Sequence, residues 1–310
     1  MNVLFYPHKW HNSFLYKDVG YATKEIFDEF KIIKRLLFFI IFLPKNIENV
    51  LVYHISLKNA PIFFLAPIFK FKITIKADLN ERRTNDILNS KKIKKRIFKL
   101  MIKKSSLIII ETQSEYNAFI SKLTFEGGFG DLKNVIWKHN KVITLDEMNR
   151  INQNLITTLK ENQVVYYLRW SKNNESNFNC GLDIFLRSLI SNHDFFQNNK
   201  VIIVGDTPAW LENWIKTKFF EVNFEFKGKL LRNDFLDLLC KSQYYVLTSR
   251  MESFNLSLIE SIICKCKITT TFTGVARDFN LDYLNPESMK YKFQEIDLNI
   301  EKYVYNFNKF

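Results

Sequence analysis

The 310-residue chain holds only four cysteines, six prolines and eight glycines. So few prolines and glycines exclude a collagen-like or low-complexity chain. The cysteines, Cys180, Cys240, Cys264 and Cys266, lie in or beside apolar segments and read as reduced core thiols, not as a disulfide framework. Cys264 and Cys266 lack a second Cys/His pair at metal-ligand spacing, which argues against a zinc site. No Asp-x-Asp motif occurs, so no metal is expected, nor any other cofactor. The longest apolar run, Leu36 to Leu43, is far short of the roughly 20 residues of a membrane-spanning helix. No secretory signal opens the chain: Met1 leads into Asn2-Val3-Leu4-Phe5-Tyr6, which reads as a strand, and a cytoplasmic location is expected.

What is abundant is positive charge. The net charge is +13, and residues 1–150 carry 26 basic against 14 acidic side chains, about +12 of the total. From Lys91 to Lys104 there are eight basic residues and no acid. Ile93, Ile97, Leu100 and Met101 fall at i, i+4, i+7 and i+8, one face of a helix. That helix is either a solvated basic face or a contact with anionic lipid at the inner face of a membrane. A third reading, nucleic-acid binding, has no recognisable motif behind it.

Strand and helix signals alternate throughout, the pattern of parallel sheets with crossover helices. In the first half, strands are expected at Val3–Tyr6, Val50–Ile55, Ile73–Ala77, Leu107–Ile110 and Asn134–Trp137, with helices near 21–41, 59–69, 91–104 and 114–123. Thr112-x-x-Glu115 reads as a capping box. Gly127-Gly128-Phe129-Gly130 follows a helix instead of a strand and reads as a turn. A polar stretch from Thr144 to Gln163 suggests the boundary between domains 1–150 and 151–310. Beyond it come strands at Val164–Leu168, Val201–Val204, Val222–Phe226, Tyr244–Leu247 and Lys267–Thr271. Helices are expected between them at Gly181–Ile190, Pro208–Lys218, Asp234–Cys240 and Leu256–Cys264.

The chemistry concentrates between Leu247 and Cys264. The strand ending at Leu247 is followed by a loop with Glu252, then by a helix carrying Glu260, expected to face the same mouth. Two carboxylates that grip diols, beside helix N–H groups that grip an anion, suit a nucleotide sugar. Arg169, directly after the strand Val164–Leu168, is placed to clamp a diphosphate and stabilise a leaving nucleotide.

Glu252-Ser253-Phe254-Asn255 through Glu260 resembles the E-x7-E signature of retaining GT-B glycosyltransferases of the family 4 type. The resemblance implies two Rossmann-like domains facing across a cleft, an α/β fold, with the nucleotide-sugar donor held by the second domain. It puts Glu252 beside the donor sugar and phosphates and Glu260 on the ribose hydroxyls. Ser253 and Phe254 accompany them, and Asn255 replaces the usual Gly. Leu168-Arg169 departs from the family's G-R, and Cys180 stands where a phosphate-binding Lys is expected, leaving Lys172 as the nearest substitute. Val204-Gly205-Asp206 and Phe226-Lys227-Gly228 resemble two further family turns, mainly architectural, and Thr273 to Asp278 resembles the loop facing the donor. In the first half, Lys17, Asp18 and Gly20 resemble an acceptor-side loop of bacterial cell-surface polysaccharide transferases. Lys76 and Asp78 end a strand where many members carry a His; Asp78 either orients a sugar hydroxyl or caps a turn. His54 reads as a packed or edge residue.

The implied activity is retaining, metal-independent transfer of a sugar to a glycan acceptor, lipid-linked, in cell-surface polysaccharide synthesis. The departures at Leu168, Cys180 and Asn255 keep open a second reading, a degenerate GT-B protein that binds a sugar or a partner without catalysis.

Overall fold

Val50–Val52, Ile73–Ile75 and Ile108–Ile110 are β-branched-rich, apolar but for Thr74, and almost wholly shielded from water, as strands buried on both faces of a parallel sheet must be. The computed structural model describes residues 2–5, 31–33, 47–53, 55–77, 81–138, 141–170, 178–252, 254–279, 281–284 and 290–305. The chain divides into two compact units, the second running from Val142 to Asn306.

Among the described residues, the first unit has six strands: β1 (Asn2–Phe5), β2 (Lys31–Ile33), β3 (Asn49–Tyr53), β4 (Lys72–Ala77), β5 (Leu107–Ile110) and β6 (Val135–Trp137). They are all parallel, in the order β2-β1-β3-β4-β5-β6. Helices α1 (Ala60–Phe69), α2 (Glu81–Leu88), α3 (Lys92–Lys104) and α4 (Gln113–Ser121) join them. Thr112 caps α4, its side chain accepting from the Glu115 N–H at 3.2 Å. The region read as helical near 21–41 contains the edge strand β2, in register with Val3 to Phe5. Three residues are too few to show a period of two, so the pattern there carried no strand signal. Helix α2 was also missed, because its ERRTNDIL segment is too polar to display an apolar stripe.

The second unit begins with β7 (Ile143–Thr144) and α5 (Leu145–Thr157). The expected division after residue 150 falls inside α5. This helix has a full capping box, with Thr144 accepting from the Glu147 N–H and Glu147 accepting from the Thr144 N–H. It buries only Ile151, flanked by Met148 and Leu155, a stripe thin enough for the segment to pass as a linker. Five parallel strands follow: β8 (Glu161–Tyr167), β9 (Lys200–Val204), β10 (Phe224–Gly228), β11 (Ser242–Leu247) and β12 (Lys267–Thr270). Their order is β10-β9-β8-β11-β12, so the winding reverses between β8 and β11. The crossovers are α6 (Leu182–Ser191), α7 (His193–Gln197), α8 (Ala209–Lys218), α9 (Arg232–Lys241) and α10 (Leu256–Ile263). The C-terminal strand β13 (Val304–Tyr305) pairs with β7. Two apolar clusters, one on each side of the β8–β12 sheet, form this unit's core. All four cysteines are free thiols, and Cys240, Cys264 and Cys266 are buried. Among the described residues, no helix is long and apolar enough to cross a membrane.

Candidate functional site

In an open parallel sheet, the carboxyl ends of the two strands at which the order reverses leave a crevice where ligands bind. In the second unit these strands are β8 and β11, and their C-terminal loops carry Arg169 and Glu252. Backbone geometry packs these loops tightly. Gly181, at the start of α6, has φ +70°, and a Cβ there would lie 1.7 Å from the Thr248 carbonyl oxygen. Gly205, after β9, has φ +120°, and its Cβ would meet the Leu168 carbonyl oxygen at 2.0 Å. Only glycine allows both approaches. Gly205, expected on the donor side, therefore acts by holding the backbone one residue before Arg169. Gly228 ends β10 and gives its carbonyl to the Gly205 N–H at 2.8 Å.

Arg169 and Glu252 come together. Arg169 Nη2 lies 3.5 Å from Glu252 Oε1, the carboxylate being largely shielded and the guanidinium half exposed. Glu252 is fixed on two further sides: Oε1 accepts from the Ser249 hydroxyl at 3.0 Å, and its N–H donates to Thr273 Oγ1 at 2.9 Å. The nearby carboxylate raises the pKa of the Arg169 guanidinium, so the positive charge is permanent. Beside them is a small, partly open hollow with enclosed room for about one water molecule, whose walls include Arg169, Glu252, Tyr167, Cys180, Tyr245 and Ser257. It is far smaller than the roughly 300–1,000 Å³ of a pocket enclosing a whole small molecule. Among the described lining residues Arg169 is the only cation. Cys180, where a lysine was expected, directs its thiol to the Arg169 carbonyl at 3.7 Å, and burial pushes its pKa up, so it supplies no charge.

Asn255 also lines the hollow, as the N-cap of α10. Its Oδ1 accepts from the Leu258 N–H at 2.9 Å and the Ser257 hydroxyl at 2.8 Å, and Ser257 meets the Tyr245 hydroxyl at 2.6 Å. Its φ of −97° is ordinary for any residue, so the backbone conformation here does not require glycine. Phe254 is buried in the core beside it.

Glu260 does not line the hollow. Its side chain is only 3% exposed and is ion-paired with Arg232. Arg232 also donates to Glu147 at 2.9 Å and to the Val142 carbonyl at 2.8 Å. Burial pushes the Glu260 carboxyl up in pKa, against the pull of Arg232. The expected common mouth for both glutamates is replaced by two separate clusters, because Glu260 lies on a helix whose other side chains are almost all buried. Arg232 and Glu147 were not anticipated. The available signal was the cation itself: Arg232 opens a helix, where the dipole disfavours positive charge, so a buried acid must hold it.

A third contact shapes the site. Arg250 grips Asp183 through both nitrogens, at 2.5 and 2.6 Å, donates to the Phe178 carbonyl at 2.8 Å and stacks over the Phe178 ring at 4.0 Å. It thereby ties the loop after β11 to the first turn of α6. In the first unit, Lys76 is buried at the carboxyl end of β4, paired with Glu111 at 3.4 Å and 5.9 Å from the Tyr53 ring centre. Glu111, which follows β5, was not singled out from the sequence. Lys17, Asp18, Gly20, His54, Asp78, Lys172 and Ser253 lie outside the described residues. Among the described residues, no three His, Cys, Asp or Glu side chains gather as metal ligands.

Residues 177–288, which contain Glu252, Glu260 and the α6 and α10 segments, match the family described as Glycosyl transferases group 1. No curated protein matches this chain by sequence. Among solved structures, Anabaena HepE in complex with UDP and glucose is similar with a TM-score of 0.60 and 15% identity, covering 90% of this chain and 82% of that one. A Burkholderia xenovorans α,α-trehalose-phosphate synthase (UDP-forming) in complex with glucose-6-phosphate is similar with a TM-score of 0.60 and 13% identity, over 81% and 65%. The pneumococcal O-GlcNAc transferase GtfA in complex with UDP and GlcNAc has a TM-score of 0.53 and 13% identity, over 76% and 44%. The chain has the two-sheet α/β fold of these GT-B glycosyltransferases, and part of its second unit is similar to the glycosyl transferases group 1 family.

Proposed function

We propose that this protein is a retaining glycosyltransferase that moves a sugar from a nucleotide sugar, a uridine diphosphate sugar by analogy with its structural neighbours, to a glycan acceptor. The observation that carries the proposal is the Arg169–Glu252 pair, 3.5 Å apart beside a hollow at the reversal point of the second sheet. A permanent cation there stabilises charge growing on the leaving diphosphate. Glu252 holds Arg169 in place and presents a carboxylate to a sugar hydroxyl. The bond between the anomeric carbon and the phosphate oxygen breaks as the acceptor oxygen attacks from the same face. The acceptor proton passes to the departing phosphate, so no covalent enzyme intermediate and no metal is assigned. Glu260 acts through Arg232, holding α10 and its Asn255 cap against the hollow. Lys76, held by its pairing with Glu111, is assigned to the acceptor by the family resemblance. The acceptor is a lipid-linked glycan of a cell-surface polysaccharide, reached from the cytoplasmic face of a membrane to which the basic helix Lys92–Lys104 is drawn.

The test is nucleoside diphosphate release and product anomer, followed with a panel of nucleotide sugars. Turnover with the donor's configuration kept is expected; inverted product removes the same-face mechanism. One observation favours the alternative of a binding protein without catalysis: Cys180 supplies no charge where a second phosphate-binding cation is expected. Restoring it as Cys180→Lys raises the transfer rate if the hollow is a working donor site. Nucleotide-sugar binding without turnover in either form favours the alternative.

A further inference from the structure

Helix α1 reads APIFFLAPIF, without a single polar side chain. One side, Ala60, Ile62, Phe63 and Ala66, is buried against the first unit's sheet. The other side lies in water: Phe64 is 55%, Ile68 69% and Phe69 44% exposed. Phe64 and Ile68 are four residues apart, so they stand on one face, and exposed Lys70 closes the helix in a left-handed turn. Helix α3 packs beside α1. Its inner face buries Met101 and Ile102, while Lys91, Lys92, Lys94 and Arg96 are exposed together with Ile93, which is 73% exposed.

An exposed apolar helix face, on a helix packed beside another that exposes cations, selects its partner by chemistry. A second copy of the chain docking face to face through it would bring two lysine-rich helices together. A nucleic acid would neutralise the lysines and leave Phe64 and Ile68 in water. An anionic bilayer answers both halves, with phosphates for the lysines and acyl chains for the aromatic and aliphatic side chains. We infer that α1 and α3 form a two-part membrane-docking surface in which Phe64, Ile68 and Phe69 insert below the headgroups while Lys92, Lys94 and Arg96 hold anionic lipid. The inference rests on the proposed attraction of the basic helix to a membrane and adds to it an inserted apolar contact, which makes attachment partly independent of salt.

The experiment is co-sedimentation of the full chain with vesicles of phosphatidylcholine alone and of phosphatidylcholine mixed with phosphatidylglycerol, at low and high salt. Two variants accompany it, Phe64→Ser/Ile68→Ser and Lys92→Glu/Lys94→Glu, both at exposed positions and each checked for an unchanged circular dichroism spectrum. The wild type is expected to bind the anionic vesicles and to keep part of that binding at high salt. Either variant should weaken binding by about tenfold or more. Residual binding by the Phe64→Ser/Ile68→Ser variant should vanish in salt. If that variant binds with wild-type affinity and salt dependence, insertion is overturned and a purely electrostatic contact remains. If the wild type stays in the supernatant with anionic vesicles, the membrane reading falls as well. If the wild type is a dimer that Phe64→Ser/Ile68→Ser converts to monomer, the face belongs to a second copy. Transfer to a soluble acceptor is measured in parallel, so none of these outcomes is confused with failure of the glycosyltransferase reading.

Discussion

The two glutamates of the E-x7-E segment carry opposite consequences when neutralised. Glu252 sits at the wall of the hollow, and its loss removes one contact of a half-exposed arginine. Glu252→Ala is therefore expected to leave stability within about 1 kcal/mol of wild type while lowering transfer by about 100-fold or more. Glu260 is buried against Arg232, so Glu260→Ala removes the more buried of that guanidinium's two carboxylate partners and leaves it to Glu147 alone. That loss costs roughly 1–3 kcal/mol, because Glu147 still pairs with Arg232, and replacing Arg232 and Glu260 together by apolar residues of similar size should recover part of it. Urea denaturation of the two single variants and the double variant measures both effects. Comparable stability of the Glu252 and Glu260 variants would refute the separate placement. The sequence made the two carboxylates and their spacing legible but not their surroundings. Glu260 was read as lining a mouth because helical periodicity places a residue on a face without saying what packs there. Its partner Arg232 lies 28 residues away, at a distance that only the fold closes.

At the scale of elements, the site exists because three loops are pressed together at the ends of β8, β9 and β11. Gly181→Ala puts a methyl group into the Thr248 carbonyl at a left-handed φ, and about 3 kcal/mol or more of stability should be lost. Gly205→Ala acts on the Leu168 carbonyl in the same way, shifting Arg169 and reducing turnover at temperatures where the protein remains folded. The Arg250–Asp183 contact supports the same junction. Hydrogen bonds from Arg250 hold the Asp183 carboxyl below its ordinary pKa. A depressed carboxylate stabilises the fold above the unfolded-state pKa, and this contribution is lost as pH falls through the folded value. Because Asp183 is nearly half exposed, Asp183→Asn should cost only about 1 kcal/mol at neutral pH and should flatten the acid limb of a stability–pH curve. Most strands were legible because buried parallel strands are short apolar runs bounded by polar turns. Elements with a thin apolar stripe, α2 and α5, and the three-residue β2 were not, since their stability comes from neighbours and caps more than from their own pattern.

For the whole molecule, the alternation of strand and helix fixed the class, and the fold followed it as two parallel sheets, with the division near residue 142 instead of 150. The sheet order cannot be read from alternation alone, and it is the reversal between β8 and β11 that puts Arg169 and Glu252 together. A nucleotide or nucleotide sugar that binds there stabilises the folded chain by mass action, by about 2.7 kcal/mol at a hundred times its Kd. A rise in Tm with uridine diphosphate, absent in Arg169→Ala, is the expected thermal-shift result. The most direct measurement is release of nucleoside diphosphate from a panel of nucleotide sugars by the wild type, Arg169→Ala and Glu252→Ala, each shown to be folded. The expected result is turnover of at least one donor, with both variants slower by about 100-fold or more. Turnover by either variant at the wild-type rate would contradict it.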